Sequence, residues 1–345
     1  MIGPRVESYW VELLDRTDAV KRTLTTSYGG RVENNYDREI RGACSLNILG
    51  NQEIDWLNDR FRPWVRVNNN AWPLGVYLPT SPEEKNGDEK EWSVGGLDKT
   101  VVLSEAHTDA TYSVSPNISG PVLDVVVGIL HDLGEVRIAA TPSSATVKDT
   151  MVWDPGTSWL TIVNGLLTAI NYENIWTDRY GQFRLEPHVP AQNRPVAHTF
   201  LAGEQAIHKR EWTRSRDITS VPNKTIVVMQ GNDEDEGMVA VAVNVDPAHP
   251  YSYQARRNRW ISRTYTADAA DQATLDALAS RYLWTASTPP ANIQVEHMVI
   301  PFETLDVMRM VSGEDDFYGR VNEWQLELSP GALVRSMWNE VIRDG

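Results

Sequence analysis

Pro155–Asn171 reads PGTSWLTIVNGLLTAIN, and its apolar residues Trp159, Ile162, Val163, Leu166, Leu167 and Ile170 fall on one face of a helix. Thr157 or Ser158 stands where an N-cap belongs. An earlier stretch repeats the period: Val122, Val125, Val126, Ile129, Leu130 and Leu133, opened by Pro121 and stopped by Gly134. Downstream, Asn174-Ile-Trp-Thr and Gln182-Phe-Arg-Leu flank Asp178-Arg-Tyr-Gly181, a good hairpin turn. Two amphipathic helices packed with a few strands make residues 105–190 an α+β module.

On either side the period changes to two. Val20–Tyr28, Arg38–Leu49 and Trp64–Leu78 alternate polar and apolar residues as half-buried strands do. Glu53–Phe61 is too short for more than a couple of helical turns, and Asn68-Asn69-Asn70 suits a turn. Pro79–Lys90 (PTSPEEKNGDEK) has nothing to bury and is expected to be a flexible polar loop or arm. After Pro195 the strand candidates are Lys224–Gln230, Met238–Val245, Trp260–Tyr265, Ile293–Pro301 and Arg320–Leu328. One helix interrupts them, with Leu275, Leu278, Ala279, Tyr282 and Leu283 on one face. Asp268 and Asp271 suit its start and Pro289-Pro290 its end. The order is β-rich region, helical module, β-rich region.

The 345 residues suffice for two or three domains, and 41% hydrophobic with 23% charged residues is the composition of a folded chain. No apolar run reaches the length of a membrane-spanning helix, and Arg5, Glu7 and Glu12 interrupt the N-terminal apolar residues in a way unlike a signal peptide. The single cysteine, Cys44, excludes an intrachain disulfide and a cysteine-built metal site. It sits in alternating β-sequence, where a small buried apolar residue is expected. The net charge of −15 argues against nucleic-acid binding, although a negative wall would suit a conduit through which DNA slides. Thirteen tryptophans are scattered without a repeat and are expected in cores or subunit contacts.

Three groups of segments carry a family resemblance. Gly42–Leu49 (GACSLNIL), Asp55–Pro63 (DWLNDRFRP) and Trp72–Pro79 (WPLGVYLP) lie near the front, Pro155–Asn171 and Trp176–Phe183 (WTDRYGQF) in the middle, and Asp217–Val228 (DITSVPNKTIVV) farther on. Together they resemble the hub proteins at the tail tip of long-tailed bacteriophages, the minor tail or baseplate-hub-like proteins. The resemblance spans residues 20–328 and contains no invariant chemical motif. It implies an α+β, β-rich fold in which two tail-tube-like β-barrel domains, residues 1–104 (with the polar loop 79–90) and 191–345 (with one helix), flank the module 105–190. It implies a homotrimer whose six similar barrels form a ring around the tail channel. Such a ring would sit in the virion at the tail tip after assembly in the host cytoplasm, and serve host attachment and genome ejection. Its partners would be the tail tube, the distal tail protein, the tape-measure protein and receptor-binding or fibre proteins. Some relatives continue into a fibre or wall-degrading domain; this chain is expected to leave those activities to other proteins.

No catalytic, cofactor or metal site is expected. The seven histidines never form HExxH, and neither a Gly-x-Ser-x-Gly elbow nor a phosphate-binding loop is present. Asp233-Glu234-Asp235-Glu236, bracketed by Gly231 and Gly237, fails the calcium-loop pattern and is expected to form a solvated hairpin loop, a candidate exposed acidic interaction loop. Tryptophans and acids in a β-rich chain leave one alternative, a carbohydrate-binding or wall-degrading tail protein. A third reading, a distal tail or tube protein, is disfavoured by the two-helix stretch 121–171.

Overall fold

The computed structural model describes residues 5–27, 29–87, 90–116, 118–204, 206–216, 218–229, 237–267, 272–287 and 291–342. The chain divides into two compact units, Met1–Trp212 with Gln294–Gly345, and Thr213–Ile293.

The first unit opens with eight strands: β1 Glu7–Leu14, β2 Val20–Leu24, β3 Arg31–Asn35, β4 Gly42–Leu49, β5 Arg60–Val67, β6 Asn70–Pro73, β7 Tyr77–Lys85 and β8 Glu91–Asp98. A short helix α1 (Val101–Glu105) leads to β9 (Tyr112–Val114), α2 (Val122–Asp132), β10 (Ile138–Ala140), β11 (Met151–Trp153), α3 (Trp159–Ala169), β12 (Trp176–Thr177), β13 (Phe183–Leu185) and β14 (Val196–Leu201). The second unit holds β15 (Thr213–Ser215), β16 (Lys224–Met229), β17 (Met238–Val243), β18 (Ser262–Thr266) and α4 (Gln272–Ser287). The chain then continues through β19 (Asn292–His297), β20 (Val307–Ser312), β21 (Asp315–Glu327) and β22 (Val334–Val341).

The fold is β-rich α+β. The main sheet runs β19-β22-β21-β3-β4-β8-β7-β5-β1-β2, with β14 beside β20, β20 beside β21, and β6 on β5. Strands from the two ends of the sequence thus share one sheet across β3 and β21, where Val32 faces Leu326 and Asn34 faces Trp324. Among the described residues this sheet is not closed on itself. The expected alternation is explicit in β4, where Cys44, Leu46 and Ile48 are buried, and in β21, where Trp324 and Leu326 are. Cys44 packs so closely that a Cβ on Gly96 would lie 2.8 Å from its sulfur.

The helical module has its own core, in which α2 supplies Val122, Leu123, Val126, Ile129 and Leu130, and α3 supplies Leu160, Ile162, Val163, Leu166 and Leu167. Each fully buried leucine or valine there contributes about 1.5–3 kcal/mol relative to exposure. Of the two N-cap candidates of α3, Ser158 does the work, its hydroxyl accepting from the Thr161 N–H. Pro121 sits just before α2 and Gly134 takes the left-handed conformation just after it. The turn at 178–181 closes with the Gly181 N–H donating to the Asp178 carbonyl at 2.9 Å.

Three expectations need correction. The stretch 79–90 is not wholly a loop: β7 continues to Lys85 and pairs with β8, because backbone hydrogen bonds to β8 need no apolar side chains there. A register shift between Thr80 and Glu83, with Ser81 at φ 38°, lets the polar half bend. Arg38–Arg41 does not belong to a strand, since β4 starts at Gly42. Outside the helical module, strands β1, β3, β8, β14, β15, β20 and β22 fall where no strand was expected. Residues 56–58 form a turn, within the limit that the shortness of Glu53–Phe61 sets.

In the second unit, α4 covers one face of the sheet β17-β16-β18, with Leu275 and Ala279 packed on Val227 and Ala240. The helix face expected from the spacing is correct for Leu275, Ala279 and Leu283, all buried. Asp268, Asp271, Pro289 and Pro290 lie outside the described residues.

Candidate functional site

The most concentrated chemistry in the first unit is a buried ionic square. The β1–β2 turn begins with Asp15, whose carboxylate accepts from Thr17 and Ala19, and this holds Asp18 in a left-handed conformation at φ 65°. Asp18 therefore points inward. Arg60 opens β5, Lys99 follows β8, and Glu135 follows α2 beyond Gly134. Arg60 Nη1 donates to Asp18 at 2.8 Å and Nη2 to Glu135 at 2.5 Å. Lys99 Nζ lies 2.7 Å from Asp18 and 2.8 Å from Glu135, and donates at 3.1 Å to the carbonyl of Gly181 in the 178–181 hairpin. All four side chains are at most 4% exposed. Burial works against the Arg60 cation, but its hydrogen bond to Glu135 and the two carboxylates overcome this and raise its pKa.

Two cations and two anions alternate, so the square is neutral and its charges find partners without water. It leaves no carboxylate free to act as acid or base. Its four corners come from the first β-region and the helical module, so its role is to fix those parts against each other.

A second polar joint centres on Glu173, between α3 and β12. Its carboxylate accepts from Arg194 at 3.0 Å, lies 2.9 Å from His188 Nδ1, and receives the Tyr36 hydroxyl at 3.4 Å. The Tyr36 ring carries the Arg41 guanidinium at 4.5 Å and that of Arg320 at 4.8 Å. The β3–β4 turn, the helical module and β21 meet at this one carboxylate.

Burial also raises the pKa values of three further acids, Asp98, Glu303 and Asp306. Asp98 accepts from Gly42 and Thr100, and Glu303 from Arg179 at 2.5 Å. Both line a cavity of about 30 Å³ with Tyr77 and Trp324, room for water and not for a sugar ring. Two carboxylates so enclosed and so bonded cannot work on a polysaccharide.

His198, His208 and His297 surround the Phe200 ring at 4.7, 5.9 and 5.0 Å. His297 is fully buried between Met298 O and Ser336 Oγ, and burial pushes its pKa down to about 4. Among the described residues no group of three or more His, Cys, Asp or Glu is placed to hold a metal. Cys44 is buried, and burial raises its thiol pKa well above the usual range. His131 is exposed at the end of α2. Asp233, Glu234, Asp235 and Glu236, the candidate acidic interaction loop, lie outside the described residues.

The tryptophans divide between the core and the surface. Trp72, Trp176, Trp324 and Trp338 are buried. Trp10 and Trp64 face each other across β1 and β5 on the outer side of the sheet, stacked at 5.5 Å. Arg66 lies over Trp10 at 5.1 Å and Arg62 over Trp64 at 5.5 Å, while Glu12 accepts from both Arg62 and the Trp64 indole. This half-buried ladder of aromatic and guanidinium groups has the composition of protein contact surfaces, where Trp and Arg are enriched. Nothing in the sequence pattern flags the ionic square or the Glu173 joint, whose members lie far apart along the chain.

No protein-family model and no curated protein sequence matches the chain. Solved structures do. The tail protein of Neisseria meningitidis MC58 superposes with a TM-score of 0.67 at 10% identity, covering 96% of this chain and 97% of that one. The 43 kDa tail protein of prophage MuSo2 from Shewanella oneidensis gives 0.63 at 10% identity over 97% and 98%. Prophage tail protein gp18 of Listeria monocytogenes EGD-e gives 0.55 at 8% identity over 97% and 95%. The similarity runs the length of the chain on both sides, helical module included, and at these identities it is a likeness of fold. The chain has the fold of phage-type tail proteins.

Proposed function

We propose that this chain is a structural hub at the distal tip of a phage tail. Three copies form a ring around the tail channel and dock the tail tube, the distal tail protein, the tape-measure protein and receptor-binding or fibre proteins. The observation that carries the reading is the end-to-end likeness to three tail proteins, each covered at 95% or more of its own length. Two structural features support a mechanical role. Asp98 and Glu303, whose pKa values burial raises, face a cavity too small for a substrate, and the buried ionic square holds two parts of the chain together. In the assembled ring, residues 1–104 and 191–345 would supply the two tube-like surfaces of each subunit. The net charge of −15 would let DNA pass without binding phosphate.

The test is location. A tagged chain, labelled with antibody-coated gold on purified virions, is expected at the distal end of the tail, and a deletion is expected to give heads without functional tails. Label spread along the shaft, or virions that lack the chain and still infect, would refute it.

A further inference from the structure

The register of the second unit lays out both faces of its sheet. One face carries Val227, Met229, Met238, Ala240 and Tyr265, and α4 packs on it. The opposite face is a grid of three rows: Val243–Lys224–Ser262, Val241–Ile226–Thr264 and Val239–Val228–Thr266. Five of its nine positions are aliphatic, three are hydroxyls and one is a lysine. Val239, Val241 and Val243 are 55%, 52% and 45% exposed. They also lie on β17, an edge strand of that sheet.

A half-covered antiparallel hairpin ordinarily puts polar residues on its open face. Here every open position of β17 is valine, on an edge strand, a combination that soluble proteins avoid unless something covers it. The one charge of the grid, Lys224, lies 5.7 Å over the Trp260 ring, which stacks on Tyr253 at 4.1 Å. No carboxylate stands in the grid.

The charge distribution selects the occupant. Residues 213–293 contain eight Lys and Arg against nine Asp and Glu, so this stretch carries −1 of the chain's −15. Identical copies repel each other through the remainder and approach at least cost through this stretch. A basic partner would instead be drawn to the strongly negative remainder. We propose that the valine face of β17 and β16 is a contact surface for a second copy of this chain. The inference rests on the ring reading above and assigns to it a surface.

The test is self-association of the full chain, followed by sedimentation equilibrium across a wide concentration range. The wild type is expected to gain mass with concentration, and Val241→Lys to weaken that association by about tenfold or more, as loss of a central contact does. Val152→Lys, at a 59% exposed valine of β11, is expected to associate as the wild type does. Circular dichroism should show both variants folded; if Val241→Lys is not, the milder Val241→Thr replaces it, with a weakening in the same direction. A wild type of constant single-copy mass, or a folded Val241 variant that associates like the wild type, overturns the proposal. Tip labelling of virions separates the two readings. Correct labelling with unaffected association moves the contact elsewhere and leaves the hub intact, whereas association without tip labelling refutes the hub alone.

Discussion

Replacing Lys99 by methionine removes one corner of the ionic square while keeping most of the side-chain volume. The lysine is 1% exposed, and its ammonium is held by Asp18, Glu135 and the Gly181 carbonyl and lies 5.1 Å over the Phe183 ring. In the variant, the two buried carboxylates keep Arg60 and, 3.9 Å from Asp18, the partly exposed Arg137, so one buried negative charge loses its close partner. Removing one partner of a buried ion pair costs about 3–5 kcal/mol. For a unit of this size each kcal/mol displaces the melting temperature by about 2–3 °C, so the expected fall is about 6–15 °C. Differential scanning calorimetry reads it directly. Charge balance, not packing, is the stated cause, so Lys99→Met combined with Glu135→Gln should recover about half of the loss. A single variant melting within about 2 °C of the wild type, or a double variant with the two losses simply added, would refute the account of the square as a compensated joint.

Three other perturbations follow from the fold. Ser158→Ala removes the hydroxyl that caps α3 and should cost about 1 kcal/mol in urea denaturation, with an unchanged m-value. Gly181→Ala should cost roughly 2–4 kcal/mol, because residue 181 has φ 75° and its new Cβ would lie 2.6 Å from Val76 Cγ2. His297 is neutral in the fold, with its pKa held near 4 by burial against an ordinary 6.5, so the unfolded chain binds the proton first as pH falls. Its contribution is complete above pH 6.5 and is lost as pH drops through about 4, a decline of about 3 kcal/mol. His297→Gln should flatten that slope in urea midpoints measured between pH 7 and pH 4; an unchanged slope would assign the acid sensitivity to other groups.

Periodicity made the helical module legible, since burial of one face is written locally at 3.6 residues per turn. Val122, Val126, Ile129 and Leu130 are buried, and only Leu123 was not expected there. The alternation in β4 and β21 was equally plain. Strand β3 was not, because RVENN has one apolar residue, and it exists through partners at Ala43–Ser45 and, far along the chain, at Leu326. Strand β1 was hidden by the opposite problem: Tyr9, Trp10, Val11, Leu13 and Leu14 crowd together and blur the period of two. The polar half of β7 is held by backbone bonds that composition does not encode. Joints such as Lys99 with Asp18, 81 residues apart, cannot be picked from 47 acidic and 32 basic residues without knowing which loops meet.

The pairing of β3 with β21 joins residues 31–35 to residues 323–327. A chain emerging from the ribosome therefore makes β3 and β4 long before the strand that flanks them exists. At roughly 5–20 residues per second, the nascent chain carries that open edge for tens of seconds. Closing a loop of nearly the whole chain length is also a late and slow event. Folding of the first unit thus waits for the synthesis of β21, and a ribosome stalled or a message cut before residue 315 would release a product with its sheet edge bare. Such a fragment would be trapped by chaperones or aggregate.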